Sequence, residues 1–432
     1  MPRPPRLVVE THEVDHIDDL ISFTSADQPL AWLRRGDGIV GIGRAVASVA
    51  FGDNFAFAPH QTDAPAPADA WRHLCSAAEI ADDLQLPGTG LVAFGAFSFD
   101  PRSAAPSVLV VPPLIVGRRG GRSWVTRIRN LDAFAADQSP EFVSQPYGPY
   151  WSGTLGPGAV APADYQAMVR AGIDAIEAGE VSKVVLARDL VGTLPAGADL
   201  RRLIRALSTG YPDTWTFAVD GLIGASPETL VTVTGGAVTA RVLAGTIPRG
   251  ADAEADAAAS ASLGVSAKDL DEHRYAVRSV LETLAPHTGD LRADSEPFTL
   301  ELPNLWHLAT DIAGEIADHA SALDLVAALH PTAAVAGTPT DAAIEVIRRL
   351  EPFDRGRYAG PVGWVDANGD GEWAIALRCA QFGSGPARGF AEYSDTIPVT
   401  AHAGAGIVTG SDPELELLET RVKFRPIVDA LA

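Results

Sequence analysis

The stretch AGAGIVTGSDPELELLETRVK, Ala403 to Lys423, places two carboxylates and a lysine where one helix face would gather them. Glu416, Glu419 and Lys423 are spaced by three and then four residues. At about 100° per residue they share an arc of roughly 60°. Leu415, Leu418 and Val422 form an apolar stripe beside them, Ser411 is a natural N-cap, and Glu414 stands where a capping-box carboxylate reaches back. A second acidic pair, Asp269 and Glu272, projects from the first turns of SAKDLDEHRYAVRSVLETLAP. Four acids on two helices could line a Mg2+ site, since Mg2+ takes oxygen ligands, usually one or two carboxylates with waters and a substrate oxygen. The same residues also read as two solvated faces with charge pairs three and four apart. The apolar stripes abutting both pairs weaken that second reading.

Proton-transfer chemistry has its own candidates. Lys183 lies inside the strand-like run VSKVVLARDLVG, where a buried lysine could give up its proton and act as a base, or merely snorkel to the surface. Glu228, in ASPETLV, follows a proline at a strand junction; desolvated there, it could stay protonated as a general acid. His307, in LWHLAT, alternates with apolar neighbours and reads first as a hydrogen-bonded core histidine. Of the 33 basic residues, only Lys183, Lys268 and Lys423 are lysines. Arginine serves solubility and ion pairing but stays protonated. In so lysine-poor a chain, each lysine is a candidate for work arginine cannot do.

Composition sets the outer bounds. The 432 residues are 47% hydrophobic and 20% charged, which describes a globular protein of one large or two ordinary domains. A net charge of −22 argues against a nucleic-acid partner and against an anionic membrane surface. An anionic small molecule could still bind, through local cations or a metal. Cys75 and Cys379 belong to no CxxC pair, which fits a reducing, cytoplasmic setting. The first residues contain no apolar signal core, and no uncharged apolar run reaches the roughly 18 residues of a membrane helix.

Elements that could position these residues follow from periodicity. Residues 1–150 read as short strands and turns, among them LVAFGAFSFD, SVLVVPPLIVGRRG and SWVTRIRNL. Residues 136–163, rich in Pro, Gly, Ser and Gln, connect this half to the region 160–432. There a helix from Pro162 to Gly179 precedes the Lys183 strand, and another lies near 199–208. Gly235-Gly236 marks a hairpin turn, and the alanine-rich run 251–263 reads as a mobile loop or a weak helix. The Asp269 helix is capped by Ser266, with Leu270, His273, Val277, Val280, Leu281 and Leu284 as its apolar face. FTLELPNLWHLATDIAGEI is strand-like, helices follow near 321–329 and from Thr340 to about Glu351, and YAGPVGWVDANGDGEWAIALRCAQF reads as a hairpin. Strands and helices without regular βαβ alternation imply an α+β fold with large antiparallel sheets and helices packed outside.

Several tempting motifs fail on their own terms. VDANGDGEW begins like a calcium loop, but Leu377 stands where the closing glutamate is needed. GAGIVTGS lacks the Lys-Ser/Thr of a Walker motif, so the better use of Gly404 and Gly406 is close backbone approach to a ligand. Gly38, Gly41 and Gly43 do not complete a dinucleotide fingerprint.

Taken together, KVVLAR, SPETLV, LAGTIPRG, KDLDEH, HLAT, LHPTAAVAGTP, YAGPVGW, ALR and the Ala403–Lys423 stretch resemble, in order, the chorismate-utilising enzymes. That family holds isochorismate and salicylate synthases and the large components of anthranilate and aminodeoxychorismate synthases. The resemblance covers about 160–430 and, more faintly, VAFGAFSFD. It implies an anthranilate synthase component I-like fold whose catalytic region is 160–432. A lysine at position 183 resembles the members that add water, where ammonia-using members carry glutamine. The block LHPTAAVAGTP is most similar to that of isochorismate synthases, with Ala333 and Ala336 replacing a usual proline and glycine, whereas salicylate synthases resemble a threonine at Ala334. The resemblance implies an Mg2+-dependent isomerase acting on chorismate, with Lys183 as base and Glu228 as acid. It implies Glu272 and Glu419 as metal ligands, with Glu416 and Asp269 direct or through water. Arg378 and Tyr358 would hold the enolpyruvyl carboxylate, and Lys423, Gly404 and Gly406 would serve the anionic ligand. Thr246, His307 and Ala334 would line the ring. No interface helix or glutaminase-docking signature stands out in the sequence, which points to a monomer without a glutaminase partner.

Overall fold

The computed structural model describes residues 3–43, 45–51, 66–132, 140–302, 305–383 and 395–432, the side chains of Ala50, Phe51 and Lys268 excepted. Among these residues a 13-stranded sheet and a 10-stranded sheet carry the architecture. Pairing is antiparallel throughout, except where Leu7–Val14 runs parallel to Glu79–Asp82. With the flanking helices this is an α+β fold.

Two-residue periodicity explains how the larger sheet is buried on both faces. In the Leu30–Arg34 strand, Leu30 and Trp32 point into a core shared with the second sheet. Ala31 and Leu33 point the other way, into a core formed with the helices Arg201–Gly210 and Pro413–Leu431. A buried carboxylate also ties the sheets together. Glu372 of the second sheet accepts from Trp32 Nε1 of the first (2.9 Å), from Trp364 Nε1 (3.0 Å) and from Arg119 (2.9 Å). Three donors supply what a desolvated carboxylate requires.

Strands from the first 150 residues are built into both sheets. Leu30–Arg34 pairs with Trp215–Val219 in the larger one, and Val92–Ala96 pairs with Pro361–Asp366 in the smaller. The expected hairpin at Gly235-Gly236 is present, both glycines having positive φ. The alanine-rich run is a helix, Ala253–Val265, held by its Asp252 cap. Among the described residues no helix is long and apolar enough to cross a membrane.

Two expectations for the terminal helix need correcting. It runs Pro413–Leu431 and is capped by Asp412, whose carboxylate accepts from the N–H groups of Glu414 (2.9 Å) and Leu415 (3.0 Å). Proline suits the first helical position because it has no N–H to satisfy, and this moves the cap one residue past Ser411. Ser411 instead accepts from Val408 N–H in the preceding turn. The buried stripe is also on the other flank of the acidic face. Leu417, Thr420, Phe424, Ile427 and Leu431 pack inward, while Leu415 and Leu418 are 64% and 44% exposed. The inward stripe runs the whole helix, whereas Leu415, Leu418 and Val422 cover only its first half.

Candidate active site

A cavity of about 170 Å3 opens between elements of both sheets and the two acidic helices. All fourteen residues singled out from the sequence line it: Lys183, Glu228, Thr246, Asp269, Glu272, His307, Ala334, Tyr358, Arg378, Gly404, Gly406, Glu416, Glu419 and Lys423. The third lysine, Lys268, sits one residue before Asp269, and its side chain lies outside the described residues.

Lys183 is the first residue of the strand Lys183–Pro195, paired with Thr396–Ile407 in a register that sets Val185 against Gly406 and Ala187 against Gly404. Its Nζ lies 2.5 Å from Glu272 Oε1. A Cβ at position 406 would stand 3.0 Å from Lys183 Cε and 3.7 Å from Glu272 Oε1. Glycine there leaves the space in which the lysine and the carboxylate meet.

Glu228 sits at the seam of the molecule. The chain leaves the larger sheet at Ser226 and enters the smaller at Thr229, with Pro227 and Glu228 forming the crossing. The Glu228 N–H donates to Ser226 Oγ (3.2 Å), and its carbonyl accepts from Ile375 N–H (3.1 Å). Burial pushes its carboxyl up to about 7, against the opposing pull of Lys183, Arg378 and Lys423. A substantial fraction of the group is therefore protonated at neutral pH.

Thr246 and His307 face each other across two strands, with Thr246 Oγ1 2.9 Å from His307 Nδ1. Burial, with the positive charges of Arg378 and Lys423, holds His307 well below the ordinary histidine range, so the ring is neutral. Its Nε2 is buried without a partner among the described residues. A register shift between Leu243 and Thr246 turns Gly245 to φ +84°. A Cβ there would lie 3.1 Å from Asp269 Cβ. The same bulge presents Ala244 O to His273 Nδ1 (3.2 Å), while His273 Nε2 meets Thr310 Oγ1 (2.7 Å). This buried histidine fixes the helix Ala267–Leu284, and with it Asp269 and Glu272, against the sheet. Ser266 caps that helix as expected, accepting from Asp269 N–H.

The opposite acidic wall comes from the terminal helix. Lys423 Nζ contacts Glu419 Oε1 (2.5 Å) and donates to Gly404 O (2.9 Å). Arg378 is 8% exposed at positive φ, just before the strand Cys379–Phe382, and desolvation draws its guanidinium below its ordinary range. Tyr358 stacks on His402 at 5.3 Å, and burial raises its hydroxyl above the usual tyrosine range.

Sequence reasoning missed two structural contributors to this wall. Gly245 lies within the LAGTIPRG block but carries no chemistry of its own. Arg355 is buried and bonds Glu351 (2.8 and 2.6 Å), Val335 O (3.0 Å) and Val185 O (2.7 Å). It thereby ties the Ala334–Val335 loop to the Lys183 strand. The preceding helix ends at Leu350 and Pro352 intervenes, so the four-residue spacing of Glu351 and Arg355 carried no helical signal.

The donor set suits a hard cation in kind: four carboxylates from two helices face one cavity, and glycines 245 and 406 stand beside Asp269 and Glu272. Their present arrangement is two pairs. Among the described residues no three acids, histidines or cysteines form a closed cluster, and Glu272 and Glu419 each hold a lysine ammonium.

Comparison with known proteins places the chain in one family. The family described as "chorismate binding enzyme" matches residues 3–432, and the chain belongs to it. Isochorismate synthase DhbC of Bacillus subtilis is 41% identical over 282 residues, 62% of this chain and 68% of that one. The structure of MenF, the menaquinone-specific isochorismate synthase from Escherichia coli, superimposes with a TM-score of 0.77 at 26% identity, covering 100% of this chain and 95% of that one. Anthranilate synthase component I from Streptococcus pneumoniae, at 21% identity, covers 90% of this chain and 92% of its own with a TM-score of 0.69, and so shares the fold.

Proposed function

We propose that the chain is an isochorismate synthase, converting chorismate to isochorismate by adding water at C2 and releasing the C4 hydroxyl. The observation that carries this reading is Lys183 and a buried, partly protonated Glu228 on separate elements of one cavity. The first could accept a proton from water; the second could give one to the departing hydroxyl. General acid and base groups so placed typically contribute 10²–10⁴-fold each, as an order of magnitude.

The remaining lining assigns itself around that pair. Arg378 and Tyr358 would hold the enolpyruvyl carboxylate, the guanidinium fork matching it geometrically. Lys423 and the backbone at Gly404 and Gly406 would serve the anionic ligand. Neutral His307, engaged by Thr246 on one side, would turn Nε2 to the ring, and Ala334 would leave room beside it. Glu272 and Glu419, with Glu416 and Asp269 direct or through water, would hold Mg2+. Bound there, the ion would supply positive charge for the ring carboxylate, which an acidic protein otherwise provides only through local cations. The two lysine–carboxylate pairs would open as the acids turn to the ion.

The test is incubation with chorismate and Mg2+ followed by separation of products. Isochorismate should be the main early product, without added ammonium or a glutaminase. Salicylate with pyruvate as the main early products would overturn the assignment in favour of a salicylate synthase. Lys183→Ala should lose turnover while still binding chorismate, and retained turnover would remove Lys183 from the role of base.

A further inference from the structure

Behind Glu228 lies a second cavity, which shares only Glu228 and Ala334 with the first. It runs beneath the helix Ala267–Leu284, and its wall reaches half-exposed Ser279, Thr283 and Arg241. It has room for about one or two waters. One side is apolar, with Ala240, Val242, Ala276 and Val280. The other carries Thr332, whose Oγ1 is buried with no protein partner among the described residues. A buried hydroxyl is destabilising unless it is hydrogen-bonded, and a water in this cavity would satisfy it.

The proposed reaction gives such a compartment a task. Water loses a proton to Lys183 as its oxygen bonds to C2, the ring double bonds shift, and the C4–O bond breaks. Glu228 protonates that oxygen, which leaves as water. Each turnover therefore ends with Lys183 carrying an extra proton and Glu228 lacking one. The chemistry is balanced over a cycle only if a proton returns to Glu228. A ring seated in the main cavity would cover the approach to the carboxyl from that side.

We propose that the second cavity is the proton port of Glu228, a water-holding passage through which the carboxyl is reprotonated from solvent without crossing the substrate site. Thr332 anchors the water at its inner end. This rests on the isochorismate synthase reading, and the test separates the two. Ala276→Leu would fill the passage, and Thr332→Val would remove its anchoring hydroxyl at nearly constant shape. Neither residue lines the main cavity.

The measurement is rapid-quench turnover of chorismate with Mg2+ in ordinary and heavy water. At pH 6, below the value of about 7 to which burial raises Glu228, both variants should make the first equivalent of isochorismate at the wild-type rate, because most of the carboxyl starts protonated. Later turnovers should then slow roughly tenfold, with a larger solvent isotope effect and an unchanged KM. A variant that slows the first turnover as much as later ones has distorted the site, and both variants behaving so would overturn the port. Wild-type progress curves in both variants would overturn it equally. Absence of isochorismate from the wild-type enzyme would instead remove the underlying functional reading.

Discussion

Glu228 is the residue on which burial and function pull against each other. Its folded carboxyl is raised from 4.5 to about 7, so the native state holds a proton that the unfolded chain has released. Stability is therefore full below about pH 4.5, falls as pH rises toward 7, and is flat above it. The total is about 3 kcal/mol, at roughly 1.4 kcal/mol for each tenfold change in proton affinity. Glu228→Gln should remove this dependence, making the variant more stable than the wild type at pH 8 and no more stable at pH 4, as measured by urea unfolding at both pH values. The same substitution should lower kcat by roughly 10²–10⁴-fold. In the wild type, activity should decline as pH rises through about 7, because the proton donor is lost. A variant that loses activity without gaining stability at pH 8 would show that the carboxyl is not held protonated. These residues were legible in the sequence because their types were conspicuous: three lysines among 33 basic residues, and acids at helical spacing. Gly245 and Arg355 were not, because one contributes an absent side chain and the other a web of backbone carbonyls.

At the scale of elements, the site depends on strands that come closer than ordinary side chains permit. Gly406→Ala would bring a methyl group to 3.0 Å from Lys183 Cε, in a strand whose own φ is not in the left-handed region. The backbone tolerates alanine there, and the lysine must give way by a few tenths of an ångström. The variant should melt within a few degrees of wild type yet lose up to roughly tenfold in kcat, since about 1 Å of displacement of a reacting group costs on the order of 10²-fold and this shift is a fraction of that. Wild-type turnover with the melting temperature preserved would show that Lys183 has slack. Helices and strands were largely readable from periodicity, and Ser266 announced its own cap. The terminal helix was misread at its start and on its buried face. Two apolar stripes flank its acids, and only packing against the larger sheet decides between them.

At the scale of the whole molecule, every lining residue of the main cavity falls between positions 183 and 423, yet both sheets include strands from the first 150 residues. A chain beginning at residue 160 would retain all the chemistry and leave Trp215–Val219 and Pro361–Asp366 with unpaired edges. Such edges invite aggregation. The truncated chain should be insoluble on expression, as checked by fractionation against the full chain; a soluble, active fragment would show that the catalytic region carries a sufficient core alone. This interleaving was the part of the fold least visible in the sequence. Local alternation identifies a strand, but partners hundreds of residues away are chosen by packing, which no single segment records.

The placement of Glu228 at the seam has a wider consequence. The proposed donor rides on the crossing between the sheets, the acceptor heads a strand of the larger one, and Thr246 and His307 belong to the smaller. Their alignment is therefore set by the apolar layer between the sheets, including the Phe97–Trp373 stack at 5.2 Å. Interior substitutions too mild to register in a melting curve still change the angle at which the two halves meet. In this protein, turnover is a finer gauge of core packing than thermal denaturation, and variants sorted by heat resistance alone will include some whose two halves no longer cooperate.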